Sequence, residues 1–197
     1  MKKKEVSIRW HSRAGLGAIT AANALCEIIG KYTEYHAQSF PDFGSEKRGA
    51  PVTAYNRFSV EKILENHHVE QPEIALLLDT TLINQTELDY SDILEGISED
   101  LLINTAQEKT QFSDKFSGNV WHLDATAISK EVIGRNIPNV PMLGALIKVS
   151  KLTDIETFSA HLTEFLGKTF SQKIVDGNIE ALRLGYDNVV CVSSKRD

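Results

Sequence analysis

Two short stretches of this chain carry residue types that could do chemistry. In Ile8 to Thr20, Gly15 and Gly17 fall between a run of β-formers and an apolar helical pattern. A strand, a small loop and the first turn of a helix meeting there would leave backbone N–H groups pointing outward, where they can cradle a phosphate. The second stretch, Phe40 to Gly49, places Lys47 and Arg48 next to glycine. The two read together as one anion-binding mouth. The pattern is not a stronger signature than that: no Gly-Lys-Ser/Thr follows, and the third glycine and ribose-binding acid of the dinucleotide fingerprint are missing. A bare tight turn at Gly15–Gly17 and a solvated charge pair at Lys47–Arg48 stay open as alternatives.

Little else points to catalysis. His11 stands at a strand end and His122 within an apolar strand, where a hydrogen-bonded structural role is expected for both. Cys26 lies on the apolar face of a helix as a buried structural thiol, Cys191 is isolated, and neither has metal-ligand spacing. The four-cysteine set of an iron–sulfur centre is absent from the sequence. No nucleophile elbow and no paired carboxylates are set up. The residues describe a ligand-binding or docking module rather than a complete catalyst.

The whole chain supports that reading. Its 197 residues fit a single domain, 1–197, with a sizeable core. A formal charge of −6 argues against nucleic-acid binding, yet Lys2, Lys3, Lys4, Arg9, Arg13, Lys47, Arg48 and Arg57 cluster early in the chain. Basic loops on an acidic body suit a small anionic ligand. The first residues do not read as a signal peptide and no apolar run reaches membrane-spanning length, so a cytoplasmic protein without membrane contact is expected.

The mouth must be positioned by the elements around it. Val6 to His11 alternates as a strand. Ile19, Ala22, Leu25, Cys26 and Ile29 fall at helical spacing, with Gly30 as the expected stop. Tyr32 to Gln38 reads as a second strand, Phe40 to Gly49 as a loop, and Pro51 to Ser59 as a half-buried strand reached by a hairpin-like return. Glu61 to Glu70 is a solvated excursion. Ile74 to Leu78 is a continuous apolar run and so a central buried strand, followed by Asp79-Thr80-Thr81 where α/β sheets place ligand-side loops. Leu101 to Asn104 and Val120 to Leu123 are further strands. Asp124 caps a helix, which two prolines between Ile137 and Pro141 interrupt. Met142 to Val149, a helix behind a Thr153–Glu156 capping box running to about Gly167, and a last helix from Ser171 to Leu184 complete the chain, with a polar tail from Ser193. The expected fold is α/β: a Rossmann-like three-layer sandwich with a mostly parallel sheet flanked by helices and a helical C-terminal part.

Several stretches, in order, resemble one family. Arg9-Trp10-His11-Ser12-Arg13-Ala14-Gly15-Leu16-Gly17 is similar to the opening Arg-Trp-His-Gly-Arg-Gly-Gly-Gln-Gly of the gamma subunits of pyruvate:ferredoxin oxidoreductase, within the 2-oxoacid:acceptor oxidoreductases. Gln38 to Val52, with Glu46-Lys47-Arg48-Gly49-Ala50-Pro51, Leu78-Asp79 with Thr81-Leu82, Asp124-Ala125-Thr126, Pro138 to Ala145, and Asn178 to Ala181 with Gly185-Tyr186 agree as well. Ser12, Ala14 and Leu16 stand where the usual loop has two glycines and a glutamine.

The resemblance implies a non-catalytic subunit of an enzyme that oxidatively decarboxylates a 2-oxoacid, passes two electrons to ferredoxin and transfers the acyl group to coenzyme A. Thiamine diphosphate and iron–sulfur clusters would sit only in partner subunits: alpha, beta and a ferredoxin-like delta. Ferredoxin would be met indirectly. The gamma part would pack on those subunits and help form the coenzyme A site, with Arg13, Gly15, Gly17, Lys47 and Arg48 as contacts, and Asn56 and Arg57 on a weaker basis. A helix N-terminus beside a Lys-Arg loop suits a polyanion. Pyruvate is the expected substrate of the complex, with 2-oxoglutarate or a branched-chain 2-oxoacid as alternatives. A free-standing nucleotide- or coenzyme A-binding module is the rival from another class, and a large exposed apolar surface would speak against it.

Overall fold

The computed structural model describes residues 3–43, 49–65, 67–85, 93–107, 112 and 114–193. Seven strands, β1 (Glu5–Arg13), β2 (His36–Phe43), β3 (Pro51–Ser59), β4 (Ile74–Leu77), β5 (Asp100–Asn104), β6 (Asn119–Leu123) and β7 (Val190–Ser193), form one sheet in the order β2-β3-β1-β4-β5-β6-β7. The neighbours β1–β4, β4–β5 and β5–β6 run parallel. β3 is antiparallel to both β1 and β2, and β7 is antiparallel to β6. The helices are α1 (Ala18–Tyr32), the single turn α2 (Leu82–Gln85), α3 (Ala125–Val132), α4 (Asn139–Ser150), α5 (Ile155–Gly167) and α6 (Gln172–Asn188).

Alternation along the strands divides the side chains of the sheet between two environments. Val6, Ile8 and Trp10 face the main core, shared with α1, α4, α5 and α6. Ala75, Leu77, Leu101, Ile103 and Val120 point to the other face, where they pack on Leu82, Ile93 and Phe112. β4 is thus buried on both sides, which is why Ile74 to Leu78 reads as an unbroken apolar run. The expected return after β2 is a true hairpin pairing, and it inserts β3 between the parallel strands β1 and β2.

One polar group sits at the centre of the main core. Asn56, fully buried, accepts a hydrogen bond from Trp10 Nε1 at 2.8 Å and donates through Nδ2 to the Ala22 carbonyl at 2.9 Å. This amide ties β3 to β1 and α1. Asn56→Leu leaves the indole N–H without its acceptor and is expected to cost about 2 kcal/mol. The measurement is a urea titration, with a lowered midpoint at an unchanged slope.

Several local expectations need correction. α1 does not stop at Gly30 but continues to Tyr32 and ends at extended Thr33. A Cβ on Gly30 would lie 3.0 Å from the Ala37 Cβ, so this glycine accommodates the close return of β2. β2 runs on through Phe40 to Phe43, residues expected in a loop, because an edge strand tolerates Pro41. β3 is not half-buried: Tyr55 and Arg57 are buried opposite the core face. The excursion after β3 covers them, His68 stacking on Tyr55 with centroids 5.2 Å apart and Arg57 reaching the Glu65 carboxylate at 3.3 Å. α5 is capped by Asp154, one residue later than the capping-box pattern suggests; its carboxylate accepts from the Thr157 N–H at 2.8 Å. Asp124 caps α3 as expected, accepting from the Ala127 N–H at 2.8 Å. α6 passes straight through Gly185 and is followed by the edge strand β7, while the polar tail expected from Ser193 falls, beyond that residue, outside the described residues.

Candidate functional site

The C-terminal ends of β1, β4 and β5 open onto a polar cavity of about 300 Å³, lined in part by Leu16, Asp79, Thr81, Asn104, Thr126 and Pro138. The topology explains its place. From β1 the chain crosses by α1 to β2 on one side, while β4 lies on the other, and crevices form at such divergence points. Asn104 shapes the floor: Nδ2 donates to the Leu78 carbonyl at 2.8 Å and to Thr126 Oγ1 at 2.9 Å, and Oδ1 accepts the Thr126 N–H at 3.2 Å.

The loop from Arg13 to Gly17 forms one wall. Gly15 has φ 104° and Gly17 φ 80°, both left-handed conformations that favour glycine. Ala14 needs no such conformation; Lys151 is the one non-glycine with positive φ among the described residues. Instead Ala14 extends the β1–β3 pairing, its N–H donating to the Ala50 carbonyl at 2.8 Å and its carbonyl accepting from the Gly49 N–H at 3.3 Å. The alanine that replaces a glycine of the usual loop is therefore accommodated without strain.

The two glycines differ in role. A Cβ on Gly15 would meet nothing within 4 Å, so its backbone faces open space, as does that of Gly49. A Cβ on Gly17 would lie 2.5 Å from Asn139 Nδ2, which donates to the Gly17 carbonyl at 3.2 Å. Gly17 joins the starts of α1 and α4 rather than facing the mouth.

Arg13 reaches across the mouth. Its Nε lies 3.0 Å from Asp79 Oδ2 and donates to Thr81 Oγ1 at 3.1 Å, while its two terminal nitrogens donate to the carbonyls of Gly49 at 3.0 Å and Thr81 at 3.2 Å. Lys47 and Arg48 lie outside the described residues, but the adjoining Gly49 is held against this wall. Asn56 and Arg57 are not brought to the mouth: one is in the main core and the other under the excursion after β3.

His11 is buried beside the wall and accepts from Arg9 Nε through Nε2 at 3.1 Å, the structural role its position suggests. Burial, reinforced by the Arg9 guanidinium, pushes its pKa down to about 3. The ring is neutral at ordinary pH, with its proton on Nδ1. His122 departs from expectation: it is only half-buried, and its Nδ1 finds no hydrogen-bond partner among the described residues. Cys26 is likewise half-buried rather than fully buried, and burial raises its thiol to about 11, too high for a reactive thiolate. Among the described residues no three His, Cys, Asp or Glu side chains are grouped to hold a metal ion.

Residues 7–188 match the family described as pyruvate ferredoxin/flavodoxin oxidoreductase. The chain belongs to that family. It is 40% identical over 196 residues to pyruvate synthase subunit PorC of Thermotoga maritima, covering 96% of this chain and 97% of the relative. It is 35% identical over 190 residues to the pyruvate/ketoisovalerate oxidoreductases common subunit gamma of Pyrococcus furiosus, covering 92% of this chain and 96% of the relative. The crystal structure of the T. maritima pyruvate oxidoreductase subunit superposes with a TM-score of 0.81 at 36% identity, over 96% of this chain and 99% of that one.

Asp79, Thr81, Asn104 and Thr126 are the wall and floor residues that motif reasoning did not select as site residues. A signal existed for three of them: Asp79, Thr81 and Thr126 each fall in a stretch that resembles the pyruvate:ferredoxin oxidoreductase gamma subunits. Asn104 had none beyond its place at a strand end.

Proposed function

We infer that this chain is the gamma subunit of a multi-subunit pyruvate synthase, which converts pyruvate and coenzyme A to acetyl-CoA and carbon dioxide and delivers two electrons to ferredoxin. The observation that carries this reading is 40% identity to a pyruvate synthase subunit along nearly the whole of both chains. The subunit contributes packing and part of the coenzyme A site; thiamine diphosphate and iron–sulfur clusters belong to alpha, beta and ferredoxin-like delta partners in the cytoplasm. The relative that is named as common to pyruvate and ketoisovalerate enzymes fits a gamma subunit that does not choose the 2-oxoacid. Phe170 and Ile174 stand exposed along an apolar cleft of about 280 Å³ between α1, α4, α5 and α6, surface of the kind a subunit buries.

Coenzyme A fits the mouth by its chemistry. Gly15 and Gly49 offer open backbone at left-handed turns, where a phosphate can approach closely. Lys47 and Arg48 supply charge beside Gly49, and Arg13 completes the wall, while Gly17 fixes the start of α1 behind it. Bound there, coenzyme A would supply the thiol that accepts the acyl group, while this chain's part is to hold its phosphates. In the assembled enzyme, Lys47→Ala with Arg48→Ala is expected to raise KM for coenzyme A about tenfold, the equivalent of one charge-assisted contact. An unchanged KM would remove the site assignment. Co-purification identifies the partner subunits, and the 2-oxoacid that the resulting complex oxidises tests the substrate.

A further inference from the structure

The apolar cleft between α1, α4, α5 and α6 runs from the main core out to water. Leu143 and Leu162 line it as fully buried residues, whereas Phe170 and Ile174 line it while 46% and 43% exposed. Its edges are fixed before anything binds. Phe170 is held at the end of α5, its N–H donating to the Leu166 carbonyl at 2.9 Å. The Ile174 N–H donates to the Ser171 carbonyl at 2.9 Å in the first turn of α6. The segment from Ile133 to Ile137 is fastened to α3, since Ser129 Oγ donates to the Ile137 carbonyl at 2.8 Å. Apolar surface that is open and already shaped can be covered with little further ordering.

Two polar groups say what covers it. Arg135, on that fastened segment, lines the cleft as an exposed cation, and its side chain makes no hydrogen bond or ion pair among the described residues. Asn178 lines the cleft from the interior of α6, where asparagine is a poor helix former. Its Nδ2 bonds its own helix, donating to the Ile174 carbonyl at 2.7 Å, and its Oδ1 accepts nothing among the described residues. A hydrocarbon chain would cover that oxygen without a partner, which costs free energy. A peptide would not: a backbone N–H meets Oδ1, an acidic side chain meets Arg135, and a bulky apolar side chain fills the cleft. Asn178 and the lining residues Asn139, Val140 and Leu143 also come from two of the stretches that resemble the gamma subunits.

We propose that this cleft docks a peptide segment of another subunit, which inserts a bulky apolar side chain, gives a backbone N–H to Asn178 and sets a carboxylate against Arg135. The proposal rests on the gamma-subunit reading and adds to it the place and the chemistry of attachment. The apolar insertion supplies most of the affinity, and the Arg135 pair at the rim fixes the direction of the segment. Asn139 lines the cleft and donates to the Gly17 carbonyl at 3.2 Å, so the docked segment lies across the starts of α1 and α4 from the mouth.

The test uses the assembled enzyme, purified with the photoreactive amino acid benzoylphenylalanine in place of Phe170. Irradiation is expected to join this chain to another subunit, at a peptide with a bulky apolar residue and an Asp or Glu within a few positions. On dilution of the complex, followed by mass photometry, Arg135→Glu and Phe170→Ala each raise the dissociation constant about tenfold. Both side chains are exposed, so the variant chains melt with the parent by circular dichroism. Replacing the acidic residue of the crosslinked peptide by lysine restores the affinity of the Arg135→Glu complex. Crosslinks confined to a second copy of this chain, to a lipid or to a small molecule overturn the docking site. So do a crosslinked peptide without an acidic residue, and variants that dissociate as the parent does. A chain that co-purifies with no other subunit overturns the gamma-subunit reading itself, and the docking site with it.

Discussion

Gly185→Ala in the full chain is expected to lower the melting temperature by roughly 6–12 °C, corresponding to about 3 kcal/mol of overpacking in a chain of this length. α4 and α6 cross at almost backbone contact. A Cβ on Gly185 would lie 2.0 Å from the Pro141 carbonyl oxygen, and one on Gly144 would lie 1.9 Å from the Leu182 carbonyl oxygen. The obstacle in both cases is backbone, so no side chain can turn aside, and the helices must separate. Because α4 is buried along most of its length, the separation disturbs the main core and not the surface. Gly144→Ala is expected to behave like Gly185→Ala. Gly167→Ala is the control, since a Cβ there meets nothing within 4 Å. Thermal melts followed by circular dichroism decide the matter; a shift below about 2 °C for Gly185→Ala would show that the crossing yields at little cost.

Acid is expected to weaken the fold through His11. The folded pKa is depressed to about 3 by burial, with the Arg9 guanidinium adding to it, whereas the unfolded ring titrates near its ordinary 6.5. Between those values the unfolded chain binds a proton that the folded chain refuses, so stability falls as pH falls. The contribution is fully present above about pH 6.5 and is lost progressively down to about pH 3, amounting to about 3 kcal/mol between pH 7 and pH 4. His11→Gln keeps an acceptor for Arg9 Nε and has nothing to titrate. Urea midpoints of both proteins at pH 7 and pH 4 make the comparison. The idea fails if His11→Gln loses as much stability on acidification as the parent chain does.

Both effects arise from contacts that no local pattern in the chain announces. Gly185 looks like a helix stop in sequence, since glycine commonly ends helices, yet here it lies within α6 because Pro141 of α4 leaves no room for a side chain. Gly30 misleads for the same reason. His11 belongs to an alternating strand, and its depressed pKa depends on burial by elements far along the chain.

Local sequence was sufficient wherever the decisive interaction was local. The period-two alternation of β1, the unbroken apolar run of β4 and the Asp124 cap are set by residues within a few positions of each other. Those signals determined an α/β fold with a loop-to-helix mouth, and the ordered stretches from Arg9 to Tyr186 pointed to the family. Strand neighbours were decided only in three dimensions, because β3 can insert between β1 and β2 only once the hairpin folds back. The same holds at the mouth. Arg13 finds Gly49 at a separation of 36 residues and Thr81 at 68, and these partners, with Asp79, engage its guanidinium within the protein. Sequence determines which charges and turns are available; the sheet order determines which of them meet, and so which charges a neighbouring carboxylate neutralises.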